Sequence, residues 1–309
     1  PDFNLAVETK LKAAGIPTVH YVSPTVWAWR EKRIHKIAKA TNLVLGVFPF
    51  EKEIYDKYQL PFQFVGHTMA DDIDIVVDQA TAREVLGLKQ NGQYLALLPG
   101  SRAREIDSLL GIFMQSYEAL LGEYPQLKVI IPAVNDAREE QIKQILQTLN
   151  MQDKCTVSRA PARELMIAAD SVLLASGTAA LEAMLCKRPM VVAYKMSGLT
   201  YAMMKRLYKP KYFALPNILA NKALVPEFLQ GDVNPTRLAQ EVALTLHGFK
   251  RVEQSEQKDD DAFSANNSLT GKNEAREHLI EAFTDIHRSL KCDADKQAAS
   301  AVLTLIGRN

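Results

Sequence analysis

The stretch ALLPGSRAREI, Ala96–Ile106, joins an apolar run to a turn of glycine, serine and arginine, and then to a charged helical pattern. This order is typical of a buried parallel strand that is followed by a helix. Ligands of open α/β sheets bind at the carboxyl ends of strands, where Gly100 would allow close backbone approach and Ser101 would offer a hydroxyl. Free N–H groups of the next helix and the Arg102 guanidinium would favour an anion such as phosphate. A plain turn with a solvated arginine is the alternative that this stretch alone leaves open.

Apolar runs and amphipathic stretches alternate along the rest of the chain. The runs with strand character are Thr18–Val22, Leu43–Phe48, Phe62–Val65, Tyr94–Leu98, Lys128–Ile131, Ser171–Leu174 and Met190–Ala193. Helical patterns between them cover Arg30–Ala40, Ala137–Leu149 and Thr178–Leu185. Near-continuous apolar strands that alternate with helices predict an α/β fold with doubly wound parallel sheets.

The chain divides into four blocks. We expect an incomplete Rossmann-like domain over 1–69, a second Rossmann-like domain over 70–247, a polar mobile loop over 248–272, and C-terminal helices over 273–309 that return to the first domain. The loop is predicted because Asp, Ser, Asn and Gln dominate that stretch. Pro1-Asp2-Phe3-Asn4 has the pattern of a strand-to-helix loop without its strand, so we expect the natural protein to begin upstream of Pro1.

The composition excludes several classes of protein. With 309 residues, 47% hydrophobic, 24% charged and a formal net charge of +1, the chain has the composition of an ordinary globular protein. The near-neutral charge argues against a nucleic-acid-binding protein. The three cysteines are far apart, lack metal-ligand spacing and suit a reducing cytosol. No apolar run approaches the roughly 18 residues of a membrane span, and no zinc-protease, serine-hydrolase or P-loop motif occurs.

A second strand-to-helix turn lies in LLASGTAALEAML, Leu173–Leu185. Ser176 is a natural N-cap, and Gly177 follows it. Thr178 and Glu182 are four residues apart and therefore share a helix face. A carboxylate beside a helix N-terminus could accept hydrogen bonds from two vicinal hydroxyls, as in ribose. A solvated glutamate on an exposed face is the alternative.

A third candidate stretch is ALPNILANKALVPEFLQ, Ala214–Gln230. The Asn217 side chain has donors and acceptors that suit a base edge or a sugar. Glu227 follows ten residues later. By themselves these residues are more often part of turns and helix caps.

Two groups of aromatic or apolar residues lie beside basic residues, a pattern that suits an anionic membrane surface. The predicted membrane-contact residues are Trp27, Trp29, Arg30, Arg33, Met203, Met204, Lys205 and Arg206. The alternative is a core tryptophan beside a solvated basic face.

Seven segments carry a resemblance to one known family. They are PDFN from Pro1, HYVSPTVWAWR from His20, PFEKEIYDKY from Pro49, FVGHTMAD from Phe64, LLPGSRAREI from Leu97, LLASGTAALEAML from Leu173 and LPNILANKALVPEFLQ from Leu215. In this order, over most of the chain, they resemble lipid-A-disaccharide synthase. This set is far more specific than any single glycine loop.

The resemblance implies an inverting glycosyltransferase of the GT-B type, with two Rossmann-like domains and a cleft between them. Such an enzyme joins UDP-2,3-diacylglucosamine to 2,3-diacylglucosamine 1-phosphate, giving the β(1→6) lipid A disaccharide 1-phosphate and UDP. The reaction belongs to lipopolysaccharide biosynthesis in Gram-negative bacteria. The resemblance implies no metal or other cofactor, and peripheral association with the cytoplasmic face of the inner membrane. Whether the chain forms a homo-oligomer is left open.

The resemblance also assigns roles to residues of this sequence. Its nucleotide-binding residues are Gly100, Ser101, Arg102, Ser176, Gly177, Thr178, Glu182, Asn217 and Glu227. Arg102 would stabilise the departing diphosphate. The family's best candidate for the general base is an aspartate just upstream of Pro1, and Asp2 is the nearest carboxylate left, as a helper or a helix cap. The rivals are a UDP-GlcNAc epimerase, another UDP-sugar transferase of the same fold, or a non-catalytic nucleotide-binding fragment.

Overall fold

A computed structural model describes residues 2–247 and 263–307 of the chain. Within these ranges the chain forms nine β-strands and fourteen α-helices. The strands are β1 (Val19–Tyr21), β2 (Leu43–Gly46), β3 (Phe62–Phe64), β4 (Gln93–Leu98), β5 (Leu127–Pro132), β6 (Cys155–Ser158), β7 (Ser171–Ala175), β8 (Met190–Tyr194) and β9 (Glu227–Leu229). The helices are α1 (Asp2–Ala13), α2 (Ile34–Ala40), α3 (Lys52–Lys57), α4 (Thr68–Asp72), α5 (Gln79–Val85), α6 (Ala103–Leu120), α7 (Asp136–Thr148), α8 (Ala162–Ala168), α9 (Thr178–Leu185), α10 (Gly198–Leu207), α11 (Leu215–Ala220), α12 (Pro235–His247), α13 (Phe263–Leu290) and α14 (Ala294–Leu305).

The chain folds into two compact units. The first consists of Pro1–Ile75, Ser197–Lys211 and Asp285–Asn309, and the second of Val76–Met196 and Tyr212–Thr284. The sequence places α10 in the second domain, whereas the structure places it in the first unit. Just after α10, the Lys209 backbone N–H donates to the Ala28 carbonyl, 3.0 Å away. The functional domain limits given above stay a prediction.

The second unit contains a six-stranded parallel sheet with the order β6-β5-β4-β7-β8-β9. Since chain order runs from β4 to β9, this is the doubly wound 3-2-1-4-5-6 arrangement, and it confirms the predicted fold class. From β4 the strands β5 and β6 are added on one side, and the next strand, β7, is added on the other side. β4 and β7 pair directly and in parallel, with Leu97 opposite Leu173. The topological switch point therefore lies where the two strand-to-helix turns of the sequence analysis begin.

β4 is part of the core of the second unit. Leu95 and Leu97 are fully buried in one cluster with apolar residues of α6. The buried residues of α6 recur at helical spacing and form one apolar stripe: Ile106, Leu109, Leu110, Phe113, Met114 and Tyr117. Each such side chain contributes about 1.5–3 kcal/mol when it leaves water. The turn that connects β4 to α6 is thus anchored at both ends.

The first unit contains a three-stranded parallel sheet with the order β1-β2-β3. One cluster packs Val44 of β2 against buried residues of α1, α2 and α3, including Leu5, Ile37 and Tyr55. A second cluster packs Leu45 of β2 with Val65 and Ala301, so the C-terminal helix α14 belongs to this core. Because neighbouring residues of a strand face opposite ways, the sheet is covered on both faces.

Two local predictions need correction. The predicted helix over Arg30–Ala40 starts with a left-handed residue, Arg30, continues as a 3₁₀ turn, and is α-helical only from Ile34. Of the predicted polar loop, 248–262 lie outside the described residues, and 263–272 belong to α13 rather than to a loop. Extending an existing helix adds one hydrogen bond per residue without a new nucleation cost, which allows polar residues to join it.

No helix in the described ranges is long and apolar enough to cross a membrane.

Candidate functional site

The switch point of the second unit carries a cavity of about 410 Å³. It opens at the carboxyl ends of β4 and β7, where ligands of doubly wound sheets bind. The predicted residues of both turns line it: Gly100, Ser101, Arg102, Ser176, Gly177 and Thr178. The structure therefore brings together two motifs that are more than seventy residues apart in the sequence.

The turn after β4 is shaped around a glycine. Gly100 has φ +125°, a backbone conformation that side chains disfavour. A Cβ atom at this position would also lie 2.5 Å from both the Cβ and an oxygen of Glu105. Glycine is therefore required at position 100 for two reasons: its positive φ, and the close approach of the Glu105 side chain.

Glu105 holds the hydrogen-bond donors of this turn. Its Oε2 accepts from the backbone N–H groups of Ser101, at 3.1 Å, and Arg102, at 3.2 Å. Its Oε1 accepts from Nη1 of Arg102 at 3.0 Å. One carboxylate thus rests on two amides and a guanidinium at the N-terminus of α6, which is an anion-binding arrangement.

Ser101 and Arg102 are accessible from the cavity side. The Arg102 side chain is 81% exposed, whereas that of Glu105 is 21% exposed. An exposed ion pair of this kind is weak and easily exchanged. Arg102 can therefore turn toward another anion without leaving a buried charge behind.

Glu182 lies one turn beyond the cavity-lining part of α9 and is not a solvated surface carboxylate. Its Oε1 accepts from Nε of Arg163 on α8, 3.2 Å away. The Glu182 side chain is only 21% exposed. The guanidinium uses one carboxylate oxygen, and the other keeps its acceptor capacity.

Asn217 and Glu227 form a separate network within the second unit. The fully buried Asn217 amide donates to the Val225 carbonyl and to Glu227, and its oxygen accepts from the N–H groups of Leu224 and Val225. These contacts use both donors and both acceptor positions of the amide. A direct contact of Asn217 with nucleotide stays a prediction, but the structure gives this amide other partners.

Glu227 caps the start of α11. Its carboxylate accepts from the N–H groups of Phe213, at 3.2 Å, and Ala214, at 2.8 Å. Burial raises the pKa of Glu227, while these hydrogen bonds oppose the shift. The residue is therefore part of the loop scaffold, and a role in nucleotide contact remains a prediction.

Asp2 and both predicted membrane groups fall in the first unit. The guanidinium of Arg33 pairs with Asp2, so this arginine is not a free surface cation. Trp27 and Trp29 are half-buried, and the Arg30 guanidinium lies 4.2 Å from the Trp29 ring centre. On α10, Met203, Lys205 and Arg206 are exposed and Met204 is half-buried.

The sequence analysis did not single out two residues that contact the predicted ones, Glu105 and Arg163. Glu105 had a signal, because a glutamate at the third position of a helix is the capping-box pattern. Arg163 had none, since only the fold brings α8 beside α9.

Comparison with known proteins decides the family. The model of the lipid-A-disaccharide synthetase family matches residues 1–302. The chain belongs to the lipid-A-disaccharide synthase family. A synthase of this family from Alteromonas mediterranea is 52% identical over 306 residues, which cover 98% of this chain and 73% of that protein. The corresponding synthase of Pasteurella multocida is 46% identical over 306 residues, covering 99% of this chain and 73% of that protein.

Solved structures of more distant proteins share the fold of this chain. The S. aureus MnaA–UDP co-structure gives a TM-score of 0.58 at 12% identity, covering 99% of this chain and 73% of that one. The Neisseria meningitidis UDP-GlcNAc 2-epimerase bound to UDP-GlcNAc gives 0.56 at 13% identity, covering 97% and 73%. At such identities the likeness concerns the fold alone, so the synthase relatives, and not the epimerases, fix the family.

Proposed function

We propose that the chain carries the nucleotide-sugar half of a lipid A disaccharide synthesis site. The donor is UDP-2,3-diacylglucosamine, the acceptor is 2,3-diacylglucosamine 1-phosphate, and the products are the β(1→6) disaccharide 1-phosphate and UDP. The observation that carries the proposal is the switch-point cavity, where two family motifs meet at the ends of β4 and β7.

The diphosphate would lie on the turn between β4 and α6. There it would take the amide N–H groups of Ser101 and Arg102 and the Arg102 guanidinium, the donors that Glu105 now uses. These groups would stabilise the charge that develops on the leaving diphosphate. The turn before α9 would add Ser176 and Thr178, and Glu182 would accept from ribose hydroxyls while Arg163 fixes its orientation.

The transfer proceeds by inversion. The acceptor 6-hydroxyl oxygen forms a bond to the anomeric carbon as the bond from that carbon to the diphosphate oxygen breaks, and a base takes the hydroxyl proton. Asp2 suits a positioning role better than this one, because its hydrogen bond to Arg33 lowers the pKa of its carboxyl group. A less basic carboxylate is a weaker proton acceptor.

Titration calorimetry with UDP tests the proposal. Arg102→Ala should weaken UDP binding about 10- to 100-fold, the effect of losing one charge-assisted hydrogen bond, and Glu182→Ala should also weaken it. Arg104→Ala is the matched control, since Arg104 is an exposed arginine two residues further along α6. Equal affinity in all four proteins would disprove the nucleotide assignment.

Contact with the cytoplasmic face of the inner membrane is part of the same proposal. Its support is the exposure of Met203, Lys205 and Arg206 on α10, together with acylated substrates. Sedimentation with anionic vesicles should show binding that salt weakens. Binding that is independent of salt concentration, or no binding, would count against membrane contact.

A further inference from the structure

A second cavity, of about 710 Å³, lies entirely within the first unit. Segments 30–36 and 209 supply its cationic side chains, which are Arg30, Lys32, Arg33, Lys36 and Lys209. Its acidic side chains are Asp2 and Glu31, and Tyr58 adds an aromatic wall. The cavity is therefore cationic overall, in a chain whose formal net charge is only +1.

Both carboxylates of this cavity are already neutralised. Asp2 pairs with Arg33, and Glu31 pairs with Lys209 and with Lys57 at 2.6 Å. The Tyr58 hydroxyl donates to Glu31 at 3.0 Å. These hydrogen bonds lower the pKa of Glu31 to about 2, so its negative charge persists and keeps Lys209 in place.

The remaining cations of the cavity lie outside these ion pairs. Among the described residues, no carboxylate forms an ion pair with Arg30, Lys32 or Lys36. Positive charges around one concave surface raise the local concentration of anions. The free positive charge of the cavity therefore comes from these three side chains.

Arg30 is held in position before any ligand arrives. Its backbone is left-handed, with φ 53° and ψ 40°, which costs about 1–2 kcal/mol for a residue other than glycine. Its guanidinium stacks 4.2 Å from the Trp29 ring centre. Strained residues that the surrounding structure maintains are concentrated at functional sites. A stacked guanidinium loses less freedom when it takes up an anion.

We propose that this cavity binds a phosphate monoester. Such a group carries up to two negative charges and three strong acceptor oxygens, which match a guanidinium and two ammonium groups. The volume leaves room for a sugar beside the phosphate. The group can come from a sugar 1-phosphate, as in the proposed acceptor, or from a lipid headgroup. The inference does not depend on the nucleotide site, which lies in the other unit.

The test uses the full chain and the double variant Lys32→Gln/Lys36→Gln. Glucosamine 1-phosphate is titrated at low salt, and vesicles of phosphatidic acid are compared with vesicles of phosphatidylglycerol, a phosphate diester. The matched control is Lys10→Gln/Lys39→Gln, which removes two exposed lysines of α1 and α2 that do not line the cavity.

We expect the cavity variant to bind glucosamine 1-phosphate about tenfold more weakly, while the control binds like the parent. If only the phosphatidic acid vesicles distinguish the two variants, the site takes a lipid phosphate. Equal binding by both variants, equal loss in both, or no preference for the monoester overturns the proposal. UDP affinity should be unchanged in both variants, so this outcome is separate from that of the nucleotide assignment.

Discussion

At the scale of single residues, Glu105 occupies the hydrogen-bond donors of the candidate nucleotide site. Its carboxylate occupies two amides and a guanidinium that the proposed diphosphate would need. A ligand must displace this carboxylate or bind beside its negative charge. Glu105 would therefore act as an internal competitor of the nucleotide.

Glu105→Gln should strengthen UDP binding about three- to tenfold, because a neutral amide repels the diphosphate less and holds Arg102 less tightly. The same change should lower the thermal midpoint slightly, since a carboxylate at a helix N-terminus is worth about 0.3–1 kcal/mol. Asp107→Asn, on the exposed side of α6, is the control for calorimetry. Weaker UDP binding in Glu105→Gln would mean that the carboxylate positions the site and does not compete.

Glu51 gives a prediction about pH. It is 2% exposed, and its carboxylate accepts from the N–H groups of Val47 and Phe48. Burial raises the pKa of Glu51 from 4.5 to about 7. The folded state then binds more protons than the unfolded state between these values, so stability falls as pH rises through this window, by about 3 kcal/mol.

Glu51→Gln should remove this part of the pH dependence, because an amide does not ionise in this range. Its oxygen can still accept both hydrogen bonds, so the fold is preserved. Urea unfolding at pH 5 and pH 8 measures the difference, with the exposed Glu53→Gln as control. If the parent and Glu51→Gln lose equal stability between the two pH values, Glu51 is not the source of this pH dependence.

At the scale of elements, Asn217 holds three pieces of chain together: the start of α11, the loop at Leu224 and Val225, and β9 through Glu227. Asn217→Ala leaves the buried Val225 N–H without this acceptor, whereas the Leu224 N–H keeps its 3.0 Å hydrogen bond to the Lys222 carbonyl. We expect a loss of about 1–3 kcal/mol in the free energy of unfolding, the usual cost of one unsatisfied buried group.

Lys222→Ala, in an exposed position of the same loop, should change stability little. Where the Asn217→Ala protein remains folded, its UDP affinity should stay within about threefold of the parent, because its amide is used internally. A larger loss of UDP affinity would support the direct contact between Asn217 and the nucleotide that the sequence predicts.

The elements also show what a sequence can reveal. The apolar run Tyr94–Leu98 is a strand in the structure because near-continuous apolar residues identify buried parallel strands. The edge strands β6 and β9 were missed, since CTVS and EFL are short and only partly apolar. Both turns of the site were visible as glycine and hydroxyl residues after strands. The pairing of Arg163 with Glu182 was not, because it depends on the packing of two helices.

At the scale of the whole molecule, the first unit depends on the end of the chain. Asp71 caps α14, accepting from the N–H groups of Asp293, at 3.0 Å, and Ala294, at 2.7 Å. His287 contacts the Ala70 carbonyl at 2.8 Å, and Lys291 donates to the Asp71 carbonyl at 2.6 Å. The C-terminal segment is thus fixed to the first unit by hydrogen bonds as well as by Ala301.

Asp71→Ala should destabilise α14 by about 1 kcal/mol, the usual effect of losing a helix cap. Hydrogen exchange should become faster in Ala294–Leu305 and stay unchanged in β4 and β7. The exposed Asp72→Ala serves as the control. Unchanged exchange in α14 would show that its attachment to the first unit does not need the cap.

The discontinuous first unit has a consequence for synthesis on the ribosome. Residues 2–75 are translated before Asp285–Asn309, which belong to the same unit. The six-stranded sheet of the second unit needs residues only up to β9. The nascent chain can therefore form that sheet before Ala301 is available to pack on Leu45 and Val65. The earlier segment of the first unit then completes this core after the six-stranded sheet has formed.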